Sequence, residues 1–353
     1  MDLVEQLQAL ATTPGIAGNE KYISHFLKEQ YTPYCDEIIY DNLGSIYALK
    51  KGSGASQLRV MVNAHMDELG FILKKINGNG TLTALALGQV NDKALLGTKV
   101  KLMTRSQKTF TGVILGQDQA GTALGKTGDV LLDFGFISEA EATTKQIMVG
   151  DMITLAADFF TSENQETWYA ANWNGRLAVS QTIDILRSLT DVTLPFDLYV
   201  GCTVQEQVGT RGAQTAANLV QPDLAVMLDT QQAWDYQTDA TDQQGILGEG
   251  LLLTYYDPSV LPNRLLLNEL RQLCDTEKIA YQDYYSLTGS DAGWINKLRT
   301  GCPTLLIGQA LRNLDAGLQV ARQTDYRAIA SALAAFLKAL TPEKIVAYQE
   351  ENR

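Results

Sequence analysis

Histidine is nearly absent from this sequence: His25 and His65 are the only two in 353 residues. A histidine-rich metal cluster is excluded, and each of the two becomes a candidate ligand or base. Basic clusters are lacking as well. Lys plus Arg number 28 against 40 Asp plus Glu, for a net charge of −12 and a pI near 4.7. Nucleic acid, whose affinity comes from clustered cations on phosphates, is not an expected partner. Cys35, Cys202, Cys274 and Cys302 form no C-x-x-C pair, the pattern of free, mostly buried thiols in a reducing compartment. No apolar run reaches the roughly 18 residues of a membrane span. The N-terminal MDLVEQLQALATTPG carries Asp2 and Glu5 where a secretory signal needs positive charge. The expected setting is the cytoplasm, away from any membrane.

What is present is ample apolar content, 45%, in a chain long enough for about two domains. Leu3, Leu7 and Leu10 recur at helical spacing up to Thr13-Pro14-Gly15, and a second helical pattern holding His25 runs from Tyr22 to Tyr31. Strand-like runs follow at Ile38 to Leu49 and Leu58 to Asn63, the second ending in AHMDELGF and placing His65 at a strand end. From Phe71 to about Phe160 short strands alternate with Gly, Asn and Asp turns, the texture of a small all-β module. Helix and strand alternation then returns. The spacing predicts helices over Arg176 to Leu189, Arg211 to Val220, Pro262 to Cys274 and Asp325 to Leu340, and strands over Phe196 to Val204, Leu224 to Leu228 and Thr304 to Ile307. An α/β domain interrupted by a β insertion is the expected organisation.

Ligands of open α/β sheets gather at strand ends. Four stretches put polar residues there: His65 to Glu68, Asn172 to Arg176, Gln205 to Gly209, and Asp229 followed by Asp235. A histidine two residues from an aspartate can hold a metal while the carboxylate orients the ring, or it can be a hydrogen-bonded structural residue. Glu206 reads as a general base if desolvated and as a plain loop glutamate if solvated. Asp229 reads as a ligand or as a helix cap. His25, mid-helix, reads as a surface or boundary residue.

Taken in order, TPGIAGNE, NAHMDELGF, LLDFGFISEAEA, VGDMITL, NGRLAVS, TVQEQVGTRGAQTAA, LAVMLDT, LGEG and TGSDAG resemble the tetrahedral, glutamyl-aminopeptidase family of cytoplasmic co-catalytic metallopeptidases, nearly end to end. The resemblance implies a zinc-exopeptidase-like (phosphorylase/hydrolase-like) mixed α/β sheet flanked by helices, residues 1–68 plus 160–353. It also implies a small inserted β-barrel, residues 69–159, through which family members dimerise and build larger shells. In the family, two divalent ions share a bridging aspartate and clamp water and substrate carbonyl. Carried over, His65 and Asp229 match first-ion ligands, Asp67 the residue orienting the histidine, and Glu206 the catalytic base.

The remaining positions depart from the family pattern. The bridging aspartate falls on Asn174, the second ion's glutamate on Gln207 and its histidine on Asp315; Arg312 fixes that register, with Gln319 at a family glutamate and Asp325 at the following aspartate. Amide oxygens are poor zinc ligands, although they do serve calcium or magnesium. The expectation is no ion, or one weakly bound divalent ion (zinc, cobalt or manganese), rather than the family's pair. The first functional reading is a catalytically impaired homologue that binds small peptides, regulates, or co-assembles with an active paralogue. The second is an active aminopeptidase, of glutamyl/aspartyl or broad specificity, using one ion or an altered metal set. The third and most remote is a glycoside hydrolase using Glu206 and Asp229. Homo-oligomers, from dimer up to dodecamer, are implied through the insertion.

Overall fold

The computed structural model describes residues 1–54, 56–116, 128–156, 158–236 and 243–351. Its strands in chain order are β1 (Glu37–Tyr40), β2 (Ile46–Lys50), β3 (Arg59–His65), β4 (Gly70–Ile76), β5 (Leu82–Leu87), β6 (Lys99–Met103), β7 (Thr109–Leu115), β8 (Asp129–Asp133) and β9 (Met152–Leu155). There follow β10 (Phe160–Thr161), β11 (Thr167–Ala170), β12 (Asp197–Thr203), β13 (Leu224–Gln232), β14 (Leu251–Tyr256), β15 (Tyr281–Tyr285), β16 (Thr304–Leu311) and β17 (Gln319–Arg322).

Eight strands form one mixed sheet in the order β1-β2-β12-β3-β13-β16-β14-β15. Its centre is parallel: β3 pairs with β12 on one side and β13 on the other, and β13 pairs with β16. Buried on both faces, these strands read as near-continuous apolar runs. One face packs Val62, Leu198, Val200 and Leu228 against Ile183 and Leu186 of the helix Trp173–Ser188 and Leu333 and Leu337 of the helix Gln323–Ala339. The other packs Met61, Met227 and Leu306 against Ala217 and Val220 of the helix Arg211–Val220 and Ile295 of the helix Ala292–Asn296. A closed barrel, β4-β5-β8-β7-β6-β9, leaves the sheet after β3. It is filled by Phe71, Leu73, Leu82, Val100, Leu102, Val130, Leu132 and Ile153. A three-stranded sheet, β10-β11-β17, joins the two strands that follow the barrel to one near residue 320.

The α/β architecture with its barrel follows the sequence expectation, and three differences have physical causes. β13 runs to Gln232 and β16 to Leu311, past the first polar residues where the sequence reading stopped, because their ladder continues from Asp229–Gly308 to Gln232–Leu311. β14 and β15 were not foreseen; they complete the sheet edge beyond β16. The helix expected from Arg176 starts at Trp173 and is broken at Asn174 and Gly175. His25 is exposed on the helix Lys21–Tyr31. All four cysteines are free, Cys35 half-buried and the others buried. Among the described residues, no helix is long and apolar enough to cross a membrane.

Asp325, in the first turn of the helix Gln323–Ala339, accepts bonds from the backbone N–H groups of Gly248 (3.0 Å) and Gly250 (2.9 Å), fastening the LGEG loop. Burial pushes its carboxyl up from 3.8 to about 6, against the lowering effect of those bonds. A folded-state value above the unfolded one means that this group favours folding fully below pH 3.8, and that the contribution is lost as pH rises through about 6. Asp325→Asn should therefore gain on the parent between pH 4 and 7, by at most about 3 kcal/mol in urea melts. A stability gap between the two that is constant over that range would refute the assignment.

Candidate functional site

Register builds the site. Thr203 of β12 lies opposite His65, and Met227 of β13 lies opposite Asn63. Two residues beyond Met227, Asp229 therefore comes level with His65, and Glu206 follows just past the end of β12. Three parallel strand ends thus bring His65, Glu206 and Asp229 to one cavity of about 300 Å³, which Asn174, Gln207 and Asp315 also line.

His65 is buried, its Nδ1 3.1 Å from the Asp67 main-chain carbonyl and 3.5 Å from the Asp67 carboxylate. The Asp67 carboxylate is otherwise engaged: it accepts the backbone N–H groups of Glu206 (3.0 Å) and Gln207 (2.9 Å). Asp67 thus faces the ring with its carbonyl and fastens the Glu206 turn with its side chain. Gln205, at the start of that turn, has a left-handed backbone (φ 56°) and donates its N–H to Glu20. The His65 Nε2 faces Asp229 at 3.6 Å.

Gly175 is required where it stands. It has φ 77°, and a Cβ there would lie 2.5 Å from the His65 Cε1. The tight approach of the helix start to the ring is held from below by Arg176. That fully buried guanidinium donates to Leu10 and Thr13 carbonyls (3.0 and 2.9 Å) and to Glu68 (3.1 Å). Glu68 also accepts from the Gly15 N–H (2.7 Å) and the Asn172 amide (2.9 Å).

Across the cavity, the Asn174 side-chain NH₂ donates to Asp315 at 2.8 Å, and its oxygen accepts the Thr230 hydroxyl at 2.9 Å. The carboxylate only accepts and therefore fixes which end of the amide faces it. Gln207 likewise turns its NH₂ to Glu206 at 3.1 Å. The Asn174 backbone N–H donates to Gln319 at 2.7 Å. Asp315 itself holds a left-handed backbone (φ 59°), which aspartate tolerates better than most residues.

The electrostatics are those of crowded acids. Burial raises Glu206 well above the carboxylate range; His65 counteracts it, while Asp291, Asp229 and Asp67 add to it. Burial likewise raises Asp315, opposed by the Asn174 bond, and lifts Asp291 to about 7, opposed by Thr203 and His65. Burial would lower His65, but Glu206, Asp229 and Asp67 overcome it and hold the ring well above its ordinary value. A cluster of this kind attracts a cationic group.

Of the residues singled out from sequence, His65, Asn174, Glu206, Gln207, Asp229 and Asp315 line this one cavity, and Asp67 supports it from beneath. Asp235 does not join them; Arg312 clamps its carboxylate with bonds of 2.8 and 2.7 Å. Sequence reasoning missed Asp291, which accepts from Thr203 and Asn63; its signal was TGSDAG, quoted only as a landmark. The Glu68–Arg176 pair was missed because nothing in sequence joins residues 108 apart. As donors to a metal the two amides fit poorly in this arrangement: Asn174 and Gln207 turn their NH₂ groups to the acids, and an amide NH₂ has no lone pair to offer.

A parallel-centred α/β sheet with acids and one histidine at its strand ends, interrupted by a barrel, defines an exopeptidase-type hydrolase fold. More narrowly, the M42 glutamyl aminopeptidase family model matches residues 44–331, and the chain belongs to that family of metallo-aminopeptidases. Among curated proteins, it is similar to the glutamyl aminopeptidase of Lactococcus lactis subsp. cremoris, 29% identical with 98% of each chain covered. Among solved structures, it is similar to the TET aminopeptidase of a marine sediment archaeon, Thaumarchaeota archaeon SCGC AB-539-E09. There the TM-score is 0.93 at 28% identity, over 98% of each chain. The Pyrococcus horikoshii TET1 peptidase, which can assemble into a tetrahedron or a large octahedral shell, shares the fold with a TM-score of 0.82. It is 22% identical, over 96% of this chain and 100% of its own.

Gly175→Ala should cost about 2–4 kcal/mol, through backbone strain and the collision with the ring. In a heteronuclear imidazole spectrum it should move the His65 resonances and leave those of the exposed His25 in place. Unchanged stability with both rings unmoved would show that the helix start does not bear on His65.

Proposed function

We propose that this chain is an M42-family protein that binds the N-terminal part of small peptides in this cavity, holds at most one divalent ion, and is catalytically impaired. The carrying observation is the hydrogen bond from Asn174 to Asp315 at 2.8 Å. At the position that a bridging carboxylate takes in the resembled family, an amide instead donates to the acid opposite, linking the two without a cation. Gln207 does the same for Glu206. These residues do not fit a zinc pair, whose ligands are imidazole, thiolate and carboxylate. The acids Glu206, Asp229 and Asp315 then serve to receive an α-ammonium group, and Asp67 holds the Glu206 turn in place. Regulation of, or co-assembly with, an active paralogue would be consistent with such a site, in the cytoplasm.

One observation favours a second reading, an active aminopeptidase with a single ion. His65 and Asp229 stand 3.6 Å apart, close to the roughly 3.3 Å that two ligands take on one tetrahedral zinc with bonds of about 2.0 Å. Glu206, in the same cavity, is the base in that reading.

Metal analysis of protein purified without chelator separates the readings, beside hydrolysis of a panel of aminoacyl and acidic-residue amides. The proposal expects at most about one equivalent of metal and little turnover; about two equivalents with rapid hydrolysis would sink it. The combined Asn174→Asp, Gln207→Glu and Asp315→His variant should gain an equivalent of metal, and no gain would show that these are not the deficient positions.

We further propose that the chain self-associates through the inserted domain, where the segment between β8 and β9 leaves Ile137, Met148 and Val149 exposed, the kind of apolar surface that interfaces cover. Light scattering should give a dimer or larger, and Ile137→Glu with Val149→Glu should lower the mass. A monomeric parent protein, or an unaltered mass in the variant, would refute this.

A further inference from the structure

We propose that Glu20 is a positioning residue for the site: its buried carboxylate holds the backbone turn that carries Glu206, and so fixes where that acid stands in the cavity. The consequence for ligand affinity rests on the peptide-binding reading; the geometric claim does not.

The turn after β12 is pinned from outside. Three successive N–H groups donate to side-chain carboxylates of other segments, that of Gln205 to Glu20 (3.0 Å) and those of Glu206 and Gln207 to the two oxygens of Asp67 (3.0 and 2.9 Å). Gln205 is the strained member. Its φ of 56° lies in the left-handed region, where glutamine lacks the tolerance of glycine or asparagine. Such a backbone persists only where its surroundings impose it. Two contacts do so here, the bond to Glu20 and the bond from the Arg211 N–H to the Gln205 carbonyl (3.2 Å). Glu206 is the next residue, so relaxation at Gln205 passes directly to it.

The carboxylate is presented on a fixed support. Glu20 is 5% exposed and stands where the helix Lys21–Tyr31 begins, yet its side chain does not cap that helix. It reaches instead to a residue 185 positions away, and the oxygen that meets Gln205 also accepts the Gly18 N–H (2.9 Å). The loop before it is tied to the segment after β3: the Gly15 carbonyl accepts the Glu68 N–H (2.9 Å), and the Gly15 N–H donates to the Glu68 carboxylate (2.7 Å). Within the loop, the Asn19 N–H closes back on the Ile16 carbonyl (2.9 Å). The segment TPGIAGNE thereby acquires a role. It stays outside the cavity lining and delivers an acceptor to the turn that enters it.

Folding alone does not account for an acid here. Burial raises the Glu20 carboxyl from 4.5 to about 7, opposed by the Gly18 and Gln205 N–H groups and reinforced by Asp67. A buried acid beside another acid costs stability, so its contribution lies in what it holds.

Four forms of the full chain separate this from a merely structural role: the parent, Glu20→Ala, Glu20→Gln, and Glu20→Ala combined with Gln205→Gly. Alanine removes the acceptor, glutamine keeps an acceptor oxygen without the charge, and glycine takes the left-handed backbone without strain. In the ligand-free imidazole spectrum at one pH, Glu20→Ala should move the His65 resonances, because Glu206 is the foremost group raising that ring against the effect of burial. Glu20→Gln should leave them near the parent positions, and the double variant should return them there. His25, exposed on the helix that Glu20 begins, should stay in place throughout. By calorimetric titration, Ala-Ala-amide should bind Glu20→Ala about 5-fold more weakly than the parent, and the double variant to within about 2-fold of it.

An unmoved His65 in Glu20→Ala, or a double variant as displaced as the single one, overturns the proposal. Movement of His25 together with His65 overturns it as well, by assigning Glu20 to the helix start. Were Glu20→Ala unable to fold, recovery of the fold by Gln205→Gly would support the same conclusion and no recovery would refute it. A parent chain that does not bind Ala-Ala-amide refutes the peptide-binding reading, and the His65 spectrum then still decides the role of Glu20.

Discussion

The buried pair of Arg176 and Glu68 is the joint on which the site hangs. It gathers the loop after the first helix through Leu10, Thr13 and Gly15, the segment after β3 through Glu68, and the broken helix start through Asn172 and Arg176 itself. Two fully desolvated charges are tolerable only when their remaining donors and acceptors are met, and nearly all are met here by main-chain groups of those segments. Removal of one partner from a pair of this kind typically costs about 3–5 kcal/mol, because the other charge is left alone in the interior. With this joint in place, Gly175 can press against the His65 ring and Asn174 can reach Asp315.

Charge then explains the rest of the cavity. Several buried acids surround one imidazole, and each pushes its neighbours toward the protonated state. A pair of divalent ions would relieve that repulsion in the resembled family. In this chain the amides of Asn174 and Gln207 aim donors at Asp315 and Glu206. On the reading proposed above, these amides make the cavity tenable without a metal pair.

Much of the frame was legible beforehand because apolar periodicity and strand ends are local signals. The helix Arg211–Val220 was read to the residue, and the barrel showed as closely spaced short strands. β14 and β15 were overlooked, although LLLTYY is rich in strand-forming residues. The polar ends of β13 and β16 were cut short because these two strands go on pairing with each other through Asp, Thr and Gln after their other neighbours have ended. The seven site residues named from sequence come together, Asp67 facing the His65 ring with its carbonyl at 3.1 Å and its carboxylate at 3.5 Å.

By itself the sequence determined the family, through landmarks in fixed order. It could not say which way an amide points or which turn a carboxylate meets. Those depend on groups brought together from distant parts of the chain: Asn174 with Asp315 and Thr230, Glu20 with Gln205. Hydrogen bonding is directional and buried charge is long-ranged, so the scarcity of histidine acquired its chemical meaning only when folding set His65 alone among carboxylates.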